Sequence, residues 1–253
     1  MPGDVILYEQ QGDHIVLITM NRPEAMNAVN REFTRQMNEA LTRFNSDDDA
    51  WVAIITGAGR AFCAGRDLKE RADDNAAGVR ARPSVVSQRE IWKPLIAAIN
   101  GYAIAGGWAQ AQMCDLRIAA DTAMMGIAES RWNLLAPFAP ALIGQIPLAA
   151  IMEILMTARP ITAQRAYEIG FVNKVVPLEQ LLPTAMEYAR TICQNAPLSV
   201  RAHKEIIMRA LGQPPQQAAP LVYHIYDKLL QSEDSVEGPR AFAEKRPPVW
   251  KGR

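Results

Sequence analysis

The chain holds only three cysteines and three histidines in 253 residues, and aromatic residues make up 7% of it. Cys63, Cys114 and Cys193 form no CxxC pair and lie too far apart for a disulfide framework, so they read as buried or neutral thiols in a reducing compartment. His14, His203 and His224 lack metal-ligand spacing and no HExxH occurs, so no metal site is expected. Neither sign of charge prevails, with Lys plus Arg and Asp plus Glu at 27 each. The basic footprint of a nucleic-acid or membrane-surface partner is therefore missing. No apolar run approaches the roughly 20 residues needed to span a bilayer, and Met1-Pro2-Gly3-Asp4 lacks the opening of a secretory signal. The expectation is a soluble, cytoplasmic protein.

Several common catalytic motifs are also missing. There is no GxxxxGK[ST] loop to cradle phosphates and no GxSxG nucleophile elbow. Gly57-Ala58-Gly59-Arg60-Ala61-Phe62 opens like a dinucleotide-binding loop, but Phe62 stands where that fingerprint needs Gly or Ala.

What the chain does have is apolar bulk, 49% of its residues against 21% charged, enough for one substantial core. Val5 to Glu9 and His14 to Thr19 alternate like half-buried strands about the Gly12-Asp13 turn, and Asn21-Arg22-Pro23 ends the second. Phe33, Met37, Ala40, Leu41 and Phe44 recur at helical spacing over 30–44. Asp47-Asp48-Asp49 reads as a solvated turn. Further strands are expected at 51–55, 95–99, 116–119 and 124–127, with a polar, aperiodic loop over 71–82. Beyond Pro137, helices are expected at 147–157, 162–169, 178–194, 197–211, 217–231 and 235–245, interrupted only by a strand at 173–176. The order implies an α/β core followed by a helical C-terminal region.

Two glycine-containing turns and one carboxylate stand out. Cys63-Ala64-Gly65-Arg66-Asp67 precedes a helix beginning at Leu68, and Ala105-Gly106-Gly107 lies between a strand and a helix reaching about Met113. Glycine permits close backbone approach, and two N–H groups aimed at one point would form an oxyanion hole; from spacing alone the same turns read first as plain strand-to-helix connections. Glu129 lies among apolar neighbours, where its charged form is disfavoured, which suits a general base. The other reading of Glu129 is a surface carboxylate paired with Arg131.

Over almost its whole length the sequence resembles the enoyl-CoA hydratase/isomerase family, the crotonase superfamily. The matching stretches are Asn21 to Ala28, Gly57 to Lys69, Lys93 to Ala103, Gly106-Gly107 and Cys114 to Ala119, in that order. The resemblance implies a spiral of ββα units with a helical C-terminal trimerisation region, divided as an acyl-CoA-binding core over 1–195 and helices over 196–253. It implies an acyl-CoA substrate, no separate cofactor because coenzyme A is part of that substrate, and a homotrimer or dimer of trimers. It places the oxyanion hole on the N–H groups of Arg66 and Gly106, the catalytic carboxylate at Glu129, and substrate contacts at Ala25, Met26, Ala64, Gly65, Arg66, Asp67, Leu68, Gly106 and Gly107. Glu24 departs from a position that is often basic. Near the chain end Arg240, Lys245, Arg246, Lys251 and Arg253 outnumber Glu237 and Glu244, a patch that could meet CoA phosphates.

One departure bears on the reaction. Typical hydratases of the family carry two glutamates; here the second is Glu129, but the first is Ala109, with Gln110 beside it. Glu129-Ser130-Arg131-Trp132 through Ala136-Pro137-Phe138 resembles the single-glutamate Δ3,Δ2-enoyl-CoA isomerases, so isomerisation is the leading expectation. Hydration and the hydroxycinnamoyl-CoA hydratase-lyase reaction follow, the latter with Tyr223 or Tyr226 engaging a phenolic substrate. A non-catalytic acyl-CoA-binding protein is the remaining alternative.

Overall fold

A computed structural model describes the protein over residues 3–77 and 91–253. Strands β1 (Ile6–Gln10) and β2 (Ile15–Met20) form an antiparallel hairpin with Ile6 opposite Met20 and Gln10 opposite Val16. Helix α1 (Arg31–Ser46) follows; Asn30 caps it by accepting the Phe33 N–H at 2.8 Å. Its buried residues are Phe33, Met37, Ala40, Leu41 and Phe44, the stripe expected from periodicity. The Asp47–Asp49 turn is more than a solvated link, because the Asp47 carbonyl accepts from the buried Lys93 Nζ at 2.5 Å.

Strands β3 (Val52–Gly57) and β4 (Ala61–Cys63) come next, then helix α2 (Leu68–Ala76). Strands β5 (Leu95–Ile99) and β6 (Tyr102–Ile104) lead into helix α3 (Gly106–Gln112). Strands β7 (Leu116–Ala120) and β8 (Met124–Gly126) complete a third pair. In each pair the first strand joins one sheet and the second joins another. With β10 (Lys174–Val176) the larger sheet runs β1-β2-β3-β5-β7-β10, parallel beyond the opening hairpin. With β9 (Ile161–Thr162) the smaller runs β4-β6-β8-β9. Strands β4, β6 and β8 are parallel neighbours. Their C-terminal ends therefore deliver Arg66, Gly106 and Glu129 to one edge, the usual place for a site beside a parallel sheet.

The helical region contains α4 (Leu148–Thr157), α5 (Ala163–Glu168), α6 (Leu181–Cys193), α7 (Pro197–Ala210), α8 (Pro215–Leu230) and α9 (Glu233–Glu244). Helix α6 lays Leu181, Thr184, Ala185 and Ala189 against the larger sheet. Helix α7 is pinned to the core by Lys204 Nζ, which donates to Asp115 Oδ2 at 2.7 Å and to the Lys93 carbonyl at 3.0 Å. The chain end folds back, with Trp250 Nε1 donating to the Gln194 carbonyl at 2.8 Å.

The structure corrects the expected elements in three places. β4, β6 and β9 were not foreseen as strands; with two or three residues each, they are too short for alternation to register. Arg71 to Ala76 continue α2 instead of forming a loop, because Asp67 caps that helix by accepting from the N–H groups of Lys69 and Glu70. The rest of the expected loop, from 78 onward, lies outside the described residues. The segment 178–194 divides into a 3-10 turn, Leu178–Gln180, followed by α6.

Candidate active site

Beyond β4 the chain is held by three backbone hydrogen bonds. The Ala64 N–H donates to the Met26 carbonyl at 2.9 Å, the Val29 N–H to the Gly65 carbonyl at 2.7 Å, and the Asp67 N–H to the Val29 carbonyl at 2.9 Å. The last two form a parallel bridge between Val29 and Arg66. In such a bridge the central residue turns its own N–H to the opposite side, here toward the second turn.

That second turn begins at Ala105, whose N–H donates to the Gly126 carbonyl at 2.8 Å. Ala105 adopts φ 55° and ψ −117°, a conformation that costs a residue with a Cβ roughly 1–3 kcal/mol and concentrates at functional sites. The two turns touch. A Cβ on Gly65 (φ +92°) would lie 2.8 Å from the Ile104 carbonyl and 3.1 Å from the Gly106 nitrogen, and one on Gly106 would lie 3.6 Å from the Arg66 nitrogen. Gly107 packs tighter still, since a Cβ there would meet the Cys63 carbonyl at 1.9 Å. Small residue size at 65 and 107 is what brings the Arg66 and Gly106 amides together, and two converging amides can stabilise an oxyanion.

Glu129 follows β8 and starts a 3-10 turn, Glu129–Trp132, closed by Asn133 at φ 52°. The turn is anchored by Ser130 Oγ, which donates to the Leu155 carbonyl at 2.9 Å. Glu129 Oε2 is buried with no hydrogen-bond partner. Burial pushes the carboxyl above its ordinary value, and hydrogen bonds from its own N–H and that of Ala128 oppose the shift less strongly. Glu129 and Arg131 form no ion pair, so the surface-pair reading of Glu129 does not hold.

A cleft of about 2230 Å³ is lined by Ala64, Arg66, Leu68, Gly106 and Glu129 among the expected site residues, and also by Ala109 and Gln110. Ala25, Met26, Gly65, Asp67 and Gly107 stand outside its lining. Met26 receives the Ala64 N–H, Gly65 and Gly107 provide the close contacts, and Asp67 pairs with Arg22 at 3.2 Å. Three carboxylates border the cleft among the described residues. Asp115 is held by the Leu95 N–H and by Lys204, and Glu70 receives the Arg31 N–H. Of the three, only Glu129 has a buried carboxylate oxygen, Oε2, without a hydrogen-bond partner.

Asn27 was missed by sequence reading. Fully buried, it accepts the Arg22 N–H through Oδ1 at 2.8 Å, and its Nδ2 donates to the carbonyls of Ala58 at 2.9 Å and Ala61 at 2.8 Å. An asparagine between apolar Met26 and Ala28 was the available signal.

Other expectations need correcting. Tyr223 and Tyr226 are 69% and 54% exposed on α8 and do not line the cleft, so within one chain neither engages a substrate there. The basic C-terminal patch is largely neutralised in place. Arg240 and Arg246 pair with Glu237 and Glu244, and Lys251 and Arg253 pair with Glu233. Cys63 and Cys114 are buried thiols pushed up to about 12, Cys193 is pushed up to about 11, and burial is the main cause in all three. Among the described residues no cluster of His, Cys, Asp and Glu could hold a metal, and no helix is long and apolar enough to cross a membrane.

Comparison with known proteins agrees with this geometry. A family model described as enoyl-CoA hydratase/isomerase matches residues 10–253. The chain is 40% identical to the enoyl-CoA hydratase EchA19 of Mycobacterium tuberculosis, over 99% of this chain and 98% of that protein. It is 37% identical to the (E)-benzylidenesuccinyl-CoA hydratase of Thauera aromatica, over 95% of this chain and 96% of that one. A crystal structure of an enoyl-CoA hydratase from Mycobacterium tuberculosis H37Rv superposes with a TM-score of 0.92 at 39% identity, over 99% of this chain and 100% of that chain.

Proposed function

The chain belongs to the enoyl-CoA hydratase/isomerase family and is an enzyme acting on CoA thioesters, and we propose that its reaction moves a double bond from C3 to C2 of an enoyl-CoA, with Glu129 as the one base. The observation that carries this reading is Glu129, which lines the cleft and whose Oε2 is, among the described residues, the one buried carboxylate oxygen without a hydrogen-bond partner. Ala109, the other position where family hydratases resemble one another in carrying a glutamate, offers a methyl group that neither accepts a proton nor holds water.

In this mechanism the thioester oxygen faces the Arg66 and Gly106 N–H groups. Glu129 removes a proton from C2, the electron pair flows toward the thioester oxygen, and the two amides stabilise the resulting dienolate. Losing one such donor costs about 3–4 kcal/mol of barrier. The protonated Glu129 then returns its proton to C4, and the double bond comes to rest in conjugation with the thioester. One side chain suffices because C2 and C4 lie on one face of the dienolate. No oxidant, metal or separate cofactor takes part, coenzyme A being part of the substrate.

The names of the relatives favour a second reading, hydration, since both relatives described above are called hydratases. Glu129 would then take a proton from water attacking C3 and deliver it to C2. Offering the purified protein a 3-enoyl-CoA and a 2-enoyl-CoA separates the two. Rising ultraviolet absorbance of the conjugated thioester with the first, and none lost with the second, is the isomerase outcome. Falling absorbance with the second is the hydratase outcome.

A trimer belongs to the same proposal. It is supported by Leu230, Val236 and Phe242, apolar side chains 56%, 67% and 87% exposed on α8 and α9.

A further inference from the structure

Helix α2 brings to the cleft a cation that has no part in the chemistry above. Arg71 lines the cleft from the first turn of that helix. Leu68, three residues earlier, is exposed and lines the cleft as well, and residues at that spacing are neighbours on one helix face. The Arg71 side chain is half-buried. Its guanidinium makes no ion pair or hydrogen bond with the described residues, and none of its nitrogens is shut off from solvent.

The other cations of the cleft wall have partners. Arg35 pairs with Glu32 and Glu39, Lys204 with Asp115, and Arg209 with Glu205 while lying over the Trp92 ring. Arg117 donates to the carbonyls of Phe171 and Cys114, and Arg31 and Arg66 are engaged as well. No described carboxylate of the wall is paired with Arg71. Asp115 and Glu70 accept from other groups, and burial favours the neutral form of Glu129. A guanidinium open to the cleft without a counter-charge is matched by a ligand that brings one. Planar and permanently charged, it takes a carboxylate through two parallel N–H···O bonds.

Position decides which part of an acyl-CoA meets it. The Arg66 amide, which faces the thioester oxygen in the mechanism above, lies five residues before Arg71. Two extended residues and one helical turn keep the two Cα atoms within about 13 Å. The CoA phosphates are joined to the thioester sulfur only through the whole pantetheine arm, whereas a substituent of the acyl group lies a few bonds from the carbonyl. The acyl group is therefore the part placed near Arg71.

We propose that Arg71 selects an acyl group carrying a carboxylate of its own, which makes the substrate class the mono-CoA thioesters of unsaturated dicarboxylic acids. The inference rests on the reading of the cleft as an acyl-CoA site and deepens it by naming the substrate class.

The test compares 3-enoyl-CoAs ending in a carboxylate with chains of equal length ending in the primary amide, as kcat/KM on the full-length protein, over a series of lengths. If the protein hydrates instead, the 2-enoyl counterparts give the same ratio. The expected result is a preference for the carboxylate of about tenfold or more at one length. Arg71→Met and Arg71→Gln should each bring it close to unity, and Arg71→Lys should keep part of it. Because the ratio compares two substrates on one preparation, a variant's lower folded fraction cancels, and either neutral variant suffices if the other does not fold. Equal or better turnover of the amide-ended chains at every length overturns the inference while leaving the acyl-CoA reaction standing, and so does a preference that survives in the neutral variants. A loss shared equally by both series in Arg71→Met would assign the guanidinium to the CoA phosphates and overturn it too. Turnover of neither series overturns the underlying reading and this inference with it.

Discussion

Arg22 Nη2 lies 3.2 Å from Asp67 Oδ2, so one ion pair ties the loop after β2 to the turn that carries the Arg66 amide. Arg22 also donates through Nη1 to the Ala28 carbonyl. Burial pushes the Asp67 carboxyl up, but hydrogen bonds from Arg22 and from the Glu70 and Lys69 N–H groups together bring it below its ordinary 3.8. The depressed value means that the pair's stabilisation is present above 3.8 and is lost as pH falls through the lower folded value. Arg22→Ala and Asp67→Asn should each cost about 1–2 kcal/mol, and less than additively when combined, in urea melts at neutral pH. The difference between wild type and Asp67→Asn should shrink on acidification.

Close packing of the two turns ranks three glycine variants. Gly107→Ala places a Cβ 1.9 Å from the Cys63 carbonyl, and Gly65→Ala places one 2.8 Å from the Ile104 carbonyl at φ +92°. Gly106→Ala meets nothing nearer than 3.4 Å. Thermal melts should show Gly107→Ala losing more than about 3 kcal/mol, Gly65→Ala about 2–3, and Gly106→Ala under about 1. Equal losses at 106 and 107 would contradict the described contact between the turns.

Lys93 is buried, donates to the Phe44 carbonyl at 2.8 Å, and is brought down to about 8, mainly by burial and then by Arg201. From about 8 up to its ordinary 10.5 the unfolded chain binds more protons at this site, so its contribution to stability rises with pH across that window. Subtracting the Lys93→Met profile from wild type should leave a difference that grows with pH there. A flat or falling difference would refute the assignment.

Burial holds the Glu129 carboxyl above its ordinary 4.5. Above the unfolded value the folded chain keeps that proton longer, so this group's contribution to stability falls as pH rises from 4.5 through the raised value. Glu129→Gln should therefore fold at least as stably as wild type at neutral pH while losing turnover about 10³-fold, within the usual contribution of a positioned base. The wild-type kcat/KM should rise along an alkaline-going limb lying above 4.5.

Much of this was legible in the residues because it rests on periodicity or on chemically unusual neighbours. The α1 stripe from Phe33 to Phe44 and the buried run of β5 follow from local pattern, whereas the glycines of both turns and Glu129 had equally local plain readings and were singled out by the family resemblance. β4, β6 and β9 were not legible, since strands of two or three residues exist through pairing with distant partners. Asn27 escaped for a related reason: a polar residue becomes a strut only when the fold chooses its neighbours, here Ala58 and Ala61. The exposure of Tyr223 and Tyr226 likewise depends on how α8 docks, and helical spacing does not encode that.

The central claim, one carboxylate carrying a proton between C2 and C4, is tested most directly by a 3-enoyl-CoA deuterated at C2 and followed by nuclear magnetic resonance. The account predicts a 2-enoyl-CoA product in which part of the deuterium has moved to C4, with both product and transfer lost in Glu129→Gln. Retention of the reaction by Glu129→Gln, or a 3-hydroxyacyl-CoA as the product, would contradict it.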